Sequence, residues 1–329
     1  MLLQEYYTRK CEKRLVWAAI NIVLALAAQM PVLPSGELDL DLGSSPVNAY
    51  LQKIRPIVPE AILDEVSLLS LQVILGQIII CHTLKDAQQA VTLIGIAVRL
   101  AHRLRLHQKN SREPLSEEEI NQRSRVFWIT YIFDRDISLR HHTPPLQNDA
   151  DIGLNLPHGN PSDGVGNIYA QDGSSQMNFF RTRVRLAHIQ GRVYDSFFST
   201  RASKLSRQER SARVAILHKE LEDWRESLPS QFQAEQAMQH LTRHDLIWVC
   251  MMHFTYLSCL VMVHGIWSHS SEWRNRFSEG LSKTSSNPAS DHSLAVAPKL
   301  PDGWQNCVSM SRNCMRLIQS LPLSDCSVW

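Results

Sequence analysis

Helix start signals followed by helical stripes of apolar residues recur along this chain, and they constrain its fold more than any other feature. Ser116 with Glu119 forms a capping box, in which each residue satisfies a backbone N–H at a helix N-terminus, and Ser206 with Glu209 repeats it. Behind each start, apolar residues return every three or four positions, which places them on one helix face. Because no segment alternates apolar and polar residues as a half-buried strand does, the sequence predicts an all-α fold.

The helix predicted to begin at Glu117 is apolar over most of its surface. It ends before Thr143-Pro144-Pro145, since consecutive prolines cannot continue a helix. Its apolar residues are Val126, Phe127, Trp128, Ile129, Tyr131, Ile132, Phe133 and Ile137. Some of them share one face, and the others widen the apolar arc until it covers most of the helix. This pattern indicates that the helix lies in the interior of the protein.

The helix that begins after Ser206 carries a heptad seam that has two interpretations. Its apolar residues are Val214, Leu217, Leu221, Trp224 and Leu228. Their spacing is that of a coiled coil, which would dimerise the chain. The seam covers only about two heptads, fewer than a coiled coil needs, so the sequence favours packing in the core.

Two apolar stretches leave a membrane-associated helical protein open as an alternative. Residues 15–28 follow a basic stretch and include Ala25-Leu26-Ala27, which imitates a signal-peptidase site. Residues 246–267 contain no charged side chain and are long enough to span a bilayer. Polar residues such as Asn21 and His253 interrupt these runs, and a helix at the centre of a large helical protein has the same composition. The sequence favours two buried helices.

Two loop-like segments punctuate the chain. Residues 140–178 collect prolines and glycines among Asn, Asp and Ser, and residues 278–303 are rich in Ser and Pro with little apolar content. We interpret 278–303 as a disordered insertion. The predicted organisation is an N-terminal helical part at 1–60 and a regulatory domain at 61–329. In it, amphipathic and buried helices pack together and long Pro-, Gly- and Ser-rich loops join them.

Charge and cysteine content limit what the chain binds. Lys and Arg number 34 against 32 Asp and Glu, and the formal net charge of +2 gives no global attraction to nucleic acid. The strongest basic bias lies at 181–213, where the arginines fall on several helix faces. This distribution favours a solvated or carboxylate-paired surface over phosphate contact. Seven cysteines, an odd number without a C-x-x-C pair, fit a reducing compartment with free thiols.

Common catalytic and metal-binding motifs are absent from the sequence. It has no G-x-S-x-G, no P-loop and no H-E-x-x-H. Four residues of metal-ligand type, Cys250, His253, Cys259 and His264, lie on one predicted helix, which cannot wrap them around a single ion. We interpret them as core thiols and hydrogen-bonded core histidines. We therefore expect no catalytic residues and no metal site, and an all-α enzyme without a recognisable site remains an alternative.

A series of short motifs runs from Leu63 to Pro157. They are Gly95–His107, Leu115–Glu119, Arg123–Trp128, Tyr131–Arg135, and then Pro144, Asp149, Asp151-Ile152 and Leu156-Pro157. Their order resembles the fungal-specific transcription factor domain, the middle homology region of zinc binuclear-cluster regulators, with the best match at 63–157. The resemblance continues more weakly through Leu186–Tyr194 and Leu221–Pro229.

The resemblance implies a non-catalytic domain that regulates RNA polymerase II transcription in the nucleus. It implies protein partners, or a homo- or heterodimer, with a small-molecule effector as a further candidate and no membrane. DNA would be contacted only through a zinc cluster, which needs closely spaced thiolates. The nearest two cysteines, Cys307 and Cys314, lie two helical turns apart. We therefore expect no cofactor in this chain and zinc only in an N-terminal cluster outside it. The chain would be either a fragment of a longer regulator that carries this cluster or a stand-alone relative that has lost it.

Arg125, Asp134 and Arg135 are the candidate site residues. They lie on the apolar helix that begins at Glu117, so their charges must be paired or hydrogen-bonded to be tolerated there. We expect a structural ion network rather than a ligand site.

A last helix is predicted at 304–321. Its apolar side is formed by Cys307, Met310, Cys314, Leu317 and Leu321. Few residues follow in this sequence, so we expect that side to lack a covering element.

Overall fold

The computed structural model describes residues 14–29, 46–54, 66–83, 86–109, 115–265 and 303–321. Helices dominate these ranges, which confirms the all-α prediction. The chain forms two compact units, described here one after the other. The insertion predicted at 278–303 lies outside the described residues, apart from Gly303.

The described part of the first unit runs from the first helix to Asn167 and from Asn178 to Gly191. Its helices are α1 (Arg14–Gln29), α2 (Pro46–Ile54), α3 (Leu68–Thr83), α4 (Ala87–Arg103), α5 (Glu117–His141) and the first part of α6 (Phe179–Phe197). The segment predicted as an N-terminal part, 1–60, contributes α1 and α2 to this same unit.

Helices α1, α2 and α3 share a small apolar core. Its buried side chains include Ala18, Ile22, Val47, Ile54, Val73 and Ile80. Helix α1 approaches α3 at Gly76, where an added Cβ would lie 2.3 Å from the Ile22 Cγ2 atom. A glycine is required at this contact because the side chain of any other residue would push the two helices apart.

A larger core joins α3, α4 and α5. Its members include Leu71, Ile74, Ile78, Ala97, Ala101, Phe127, Trp128 and Tyr131. Trp128 is only 1% exposed, and edge-to-face contacts to Phe127 and Tyr131 surround its ring. The predicted interior position of α5 is therefore confirmed.

The second unit comprises Ile168–Met177 and Arg192–Leu321. Its helices are the remainder of α6, α7 (Arg207–Glu226), α8 (Ala237–His240), α9 (Arg243–His264) and α10 (Trp304–Gln319). Of the predicted heptad seam, Leu217, Leu221 and Trp224 of α7 are buried here, as is Leu228 just after the helix, while Val214 is half-buried. This burial confirms the interpretation of the seam as core.

Helix α9 is the one described helix that is long and apolar enough to cross a membrane by length and composition. Half of its most apolar window is buried inside the protein. Two of its buried polar side chains have protein partners: the Tyr256 hydroxyl donates to Glu222 Oε1 at 2.8 Å, and His253 Nε2 donates to the Phe232 carbonyl at 2.8 Å. Such bonding suits a core helix, because a buried polar group needs a partner.

A short two-stranded ribbon is the part of the fold that the sequence pattern does not predict. Strands β1 (Asn167–Tyr169) and β2 (Gln176–Asn178) pair with each other. Three residues each are too few to show apolar–polar alternation. Gly173, between the strands, has a φ of 70°, in the left-handed region that glycine adopts without strain.

Helix α10 corrects the expectation that its apolar side lacks a cover. Cys307, Met310, Cys314 and Leu317 are all buried. This side packs against α9, where the Cys307 thiol lies 3.7 Å from the Leu260 carbonyl oxygen. The long apolar helix that precedes it in the described chain thus provides the cover.

Candidate functional site

The capping box at Ser116 fixes the start of α5. Ser116 Oγ accepts from the Glu119 backbone N–H at 3.2 Å, and Glu119 Oε2 accepts from the Ser116 N–H at 2.9 Å. The helix begins at Glu117 as predicted and ends at His141, and the next residue, His142, has a φ of 52° that turns the chain before the two prolines. The helix therefore presents three consecutive charged residues, Asp134, Arg135 and Asp136, at fixed positions near its C-terminal end.

Asp134 is fully buried and holds the backbone of the loop that follows α5. Its carboxylate accepts from the Leu146 N–H at 3.0 Å and from the Gln147 N–H at 3.1 Å. Burial raises the pKa of Asp134, and these amides together with Arg135 oppose that shift. The side chain thus satisfies two loop amides that would otherwise lack partners.

Arg135 is 3% exposed and extends toward the same loop. Its Nη2 donates to the Gln147 carbonyl at 2.7 Å and to Asp149 Oδ1 at 2.6 Å. Its Nη1 lies 3.5 Å from Asp134 Oδ2, and its Cζ lies 4.5 Å from the centre of the Tyr131 ring. Two carboxylates, a carbonyl and an aromatic face therefore surround this buried guanidinium.

Asp149 and Tyr131 extend the cluster toward solvent. The Tyr131 hydroxyl donates to Asp149 Oδ1 at 2.8 Å and lies 2.9 Å from His188 Nδ1. Although burial favours the neutral carboxyl, the neighbouring His188 ring and the Arg135 charge lower the pKa of Asp149. The carboxylate is therefore held in its charged form, as a partner for Arg135.

Gly191 of α6 gives Arg135 its space. A Cβ at this position would lie 3.0 Å from Arg135 Nε and 3.3 Å from its Cδ. A side chain at 191 would therefore require the Arg135 side chain to shift by a few tenths of an ångström. Nothing in the sequence pattern marks this glycine as a contact of a residue in α5.

Asp136 binds α6 instead of the loop. Arg183 Nη2 donates to its Oδ2 at 2.6 Å, and Gln190 Nε2 donates to its Oδ1 at 2.6 Å. Burial opposes ionisation, but the Arg183 charge lowers the pKa of Asp136 below its usual range. Asp136 is not among the residues predicted from the sequence, although it lies beside Asp134 and Arg135 on the same apolar helix and needs a partner for the same reason.

Arg125 stands apart from the other two predicted site residues. It is 28% exposed and pairs with Asp163, with Nη2 at 2.7 Å from Oδ2. The structure therefore brings Asp134 and Arg135 together and places Arg125 in a separate, partly solvated pair. That the charges serve the fold rather than a ligand stays a prediction.

Histidines and thiols of α9 lie in the core of the second unit. His264 Nε2 lies 2.9 Å from His218 Nδ1 of α7, and burial raises the pKa of the Cys250 thiol to about 12. Among the described residues, no group of three or more His, Cys, Asp or Glu side chains is placed to hold a metal ion. A protonated, buried thiol is a poor metal ligand and a poor nucleophile.

Four of the nine basic side chains at 181–213 bind carboxylates or carbonyls within the protein. Arg183 binds Asp136, Arg192 binds Glu220, Arg181 donates to the Pro157 carbonyl and Arg210 donates to the Ala202 carbonyl. Arginines that already hold carboxylates and carbonyls present fewer free donors to a phosphate backbone.

The described residues form a helical protein whose buried charges are paired. Comparison with known proteins places it in the class of transcription-factor regulatory domains. The family model described as "Fungal specific transcription factor domain" matches residues 3–226. The chain belongs to this family.

Individual relatives agree with that assignment. The chain is 34% identical, over 95% of its length, to the "ABC-transporter-regulating transcription factor" of Aspergillus fumigatus, and 33% identical over the same share to the protein of that name in Aspergillus oryzae. It is 25% identical over 98% of its length to the "Fusaridione A cluster transcription factor fsdR" of Fusarium heterosporum, of which it covers 58%. The chain spans 34% of each Aspergillus relative. No solved structure matches it.

Proposed function

We propose that this chain is the non-catalytic regulatory region of a fungal zinc-cluster-type transcription factor, acting in the nucleus through contacts with other proteins. The observation that carries the proposal is the family match over residues 3–226, together with alignments to transcription factors over 95% of the chain. The charged cluster around Arg135 supports a structural role, because each of its members has a partner within the fold.

We further propose that this region itself does not bind DNA specifically. Specific binding requires side chains that reach base edges. The cysteines of this sequence are too far apart for a zinc cluster, and several arginines of the basic stretch already bind carboxylates or carbonyls in the described part of the chain. DNA contact belongs to a zinc cluster outside these residues. A titration of the purified chain at physiological salt checks this: we expect only salt-sensitive, sequence-independent binding, with dissociation constants of about 10⁻⁴–10⁻⁶ M. Tight binding to one promoter sequence, resistant to random competitor DNA, would overturn it.

The target class that the relatives favour is the genes of ABC transporters. Two relatives at 34% and 33% identity carry that function in their names, whereas the Fusaridione A cluster transcription factor is 25% identical. The test replaces the matching region of the Aspergillus fumigatus factor with this chain and measures ABC-transporter transcripts. We expect transcripts close to those of the native factor.

The control for the chimera is the same protein carrying Trp128→Ala, which disrupts the core of the first unit. It should reduce transcripts to the level of a factor from which the region is deleted. A folded chimera that occupies the promoter but regulates no better than that deletion would refute the proposed function.

A further inference from the structure

Helix α10 has a second apolar stripe besides the one buried against α9. Its apolar members Trp304, Val308 and Met315 follow each other at helical spacing, with Ser311 on the same face, and Val261 of α9 lies beside them. Together they line an open groove of about 430 Å³. Val261 is 39% exposed and Met315 is 53% exposed, so the groove presents apolar surface to solvent.

The rim of this groove is basic. Arg312 and Arg316 line it one helical turn apart, and both are exposed. No Asp or Glu occurs between residues 304 and 319, nor between 246 and 264. One carboxylate that does bind α10, that of Glu235, accepts a hydrogen bond from Asn313 Nδ2 at 2.8 Å. The groove therefore combines an apolar floor with a positively charged edge.

We propose that this groove binds an amphipathic helix of a partner protein, with an apolar stripe that faces Val308 and Met315 and carboxylates that face Arg312 and Arg316. The inference rests on the proposed function in that it names the kind of protein contact by which the domain acts. Helix-in-groove recognition uses apolar anchors three, four and seven residues apart. The stripe from Trp304 to Met315 rises about 16 Å along α10, which accommodates three turns of a partner helix.

Exposure of the groove argues against a small molecule as its occupant. Ligand pockets enclose most of a small ligand's surface, and this groove is open along one side. An amphipathic helix buries only one face when it binds such a groove. Its flanking carboxylates would be attracted by the two arginines while they stay in contact with water.

The test uses the full chain and a fluorescein-labelled, lactam-stapled 16-residue peptide that carries Leu at helical anchor positions and Glu on both flanks. We expect saturable binding in fluorescence polarisation that weakens as salt is raised. Met315→Glu should weaken binding by about tenfold or more, since it places a charge on the apolar floor. Met238→Glu is the matched control, because Met238 is an equally exposed methionine of the second unit outside the groove.

Charge reversal tests the rim separately. The double variant Arg312→Glu, Arg316→Glu should weaken binding of the Glu-flanked peptide by about fivefold to tenfold and should favour the same peptide with Lys flanks. Equal binding of both peptides to the unchanged chain, or equal loss in Met315→Glu and Met238→Glu, would overturn the proposal.

Other occupants give distinct results that also overturn it. If the chain dimerises in analytical ultracentrifugation and Met315→Glu makes it monomeric, the groove is an interface between copies. If the peptide binds only after residues 278–300 are removed, the groove holds a segment of this chain. Failure of the proposed function is separable, since a chimera that regulates transcripts equally with and without Met315→Glu would refute the groove and leave that function standing.

Discussion

Helices α5 and α9 both run through the interior of their own units, yet they bury different chemistry. α5 buries formal charges, with Asp134 and Arg135 at 0% and 3% exposure, whereas the polar side chains buried in α9 are His253, Thr255, Tyr256 and His264. The charges of α5 bind backbone groups of the loop at 146–149 and so fix where that loop lies. Buried charge on α5 therefore specifies a loop position, whereas α9 is held by apolar packing with single hydrogen bonds.

Loss of a buried tryptophan should destabilise each unit most, and by about the same amount. Trp128→Ala in the first unit and Trp224→Ala in the second should each lower the free energy of unfolding by about 4 kcal/mol, because each ring is 1% exposed and leaves a cavity. Thermal or urea unfolding measures the loss. An unchanged melting temperature for either variant would show that its helix is not interior. Equal losses would mean that the two units have equally well packed apolar cores and differ in the polar groups that they bury.

Loss of the buried charge of α5 comes next. Arg135→Met should lower the free energy of unfolding by about 3 kcal/mol, since it removes the guanidinium that binds Asp149 and the Gln147 carbonyl and whose charge offsets the buried Asp134. Arg125→Met, on the same helix, is the matched control. Its pair with Asp163 is partly solvated, so the loss should stay below about 1 kcal/mol. Comparable losses in both variants would contradict the distinction between the two pairs.

Acid should act on α9 through His253. Burial lowers the pKa of this imidazole, so the folded protein keeps it neutral while the unfolded chain protonates it near 6.5. The unfolded state then binds more protons, and stability falls as pH drops below about 6.5, by up to about 1.4 kcal/mol per pH unit. His253→Gln, which can still donate to the Phe232 carbonyl, should reduce this slope in urea unfolding between pH 7 and 5. An unchanged slope would contradict the assignment.

The smallest effect concerns a neutral hydroxyl of α9. Tyr256→Phe removes a bond to Glu222, which keeps its contact with Arg225 at 3.0 Å. The variant should cost about 1 kcal/mol, the usual net value of one hydrogen bond. A loss as large as that of Arg135→Met would mean that α9 depends on buried polar groups as strongly as α5 does.

Sequence patterns predict the elements better than their contacts. Capping residues and apolar periodicity locate α5 and its interior position, and the charge of Asp134 on such a helix implies that it needs a partner. The partners themselves are backbone groups of Leu146 and Gln147, which carry no side-chain signal. Gly191 matters only because another helix approaches it, and no local pattern reveals such an approach.

The same reasoning explains the outcome for α10. Its buried stripe is predictable from apolar spacing, but its cover is not, because α9 and α10 are far apart in the sequence. Helix spacing shows which residues share a face and leaves open which neighbour covers that face. The long-range pairing of Arg125 with Asp163 is unpredictable for the same reason.

The central claim, that the carboxylate of Asp134 holds the loop after α5, is tested most directly by hydrogen exchange of the Leu146 and Gln147 backbone amides. Asp134→Leu removes their acceptor, and Asp136→Leu, which removes the neighbouring carboxylate that binds α6, is the matched control. We predict that both amides are protected in the unchanged protein and in Asp136→Leu, and that they exchange at least about tenfold faster in Asp134→Leu while amides of α3 stay protected. Fast exchange of these amides in the unchanged protein, or equal protection in both variants, would contradict the claim.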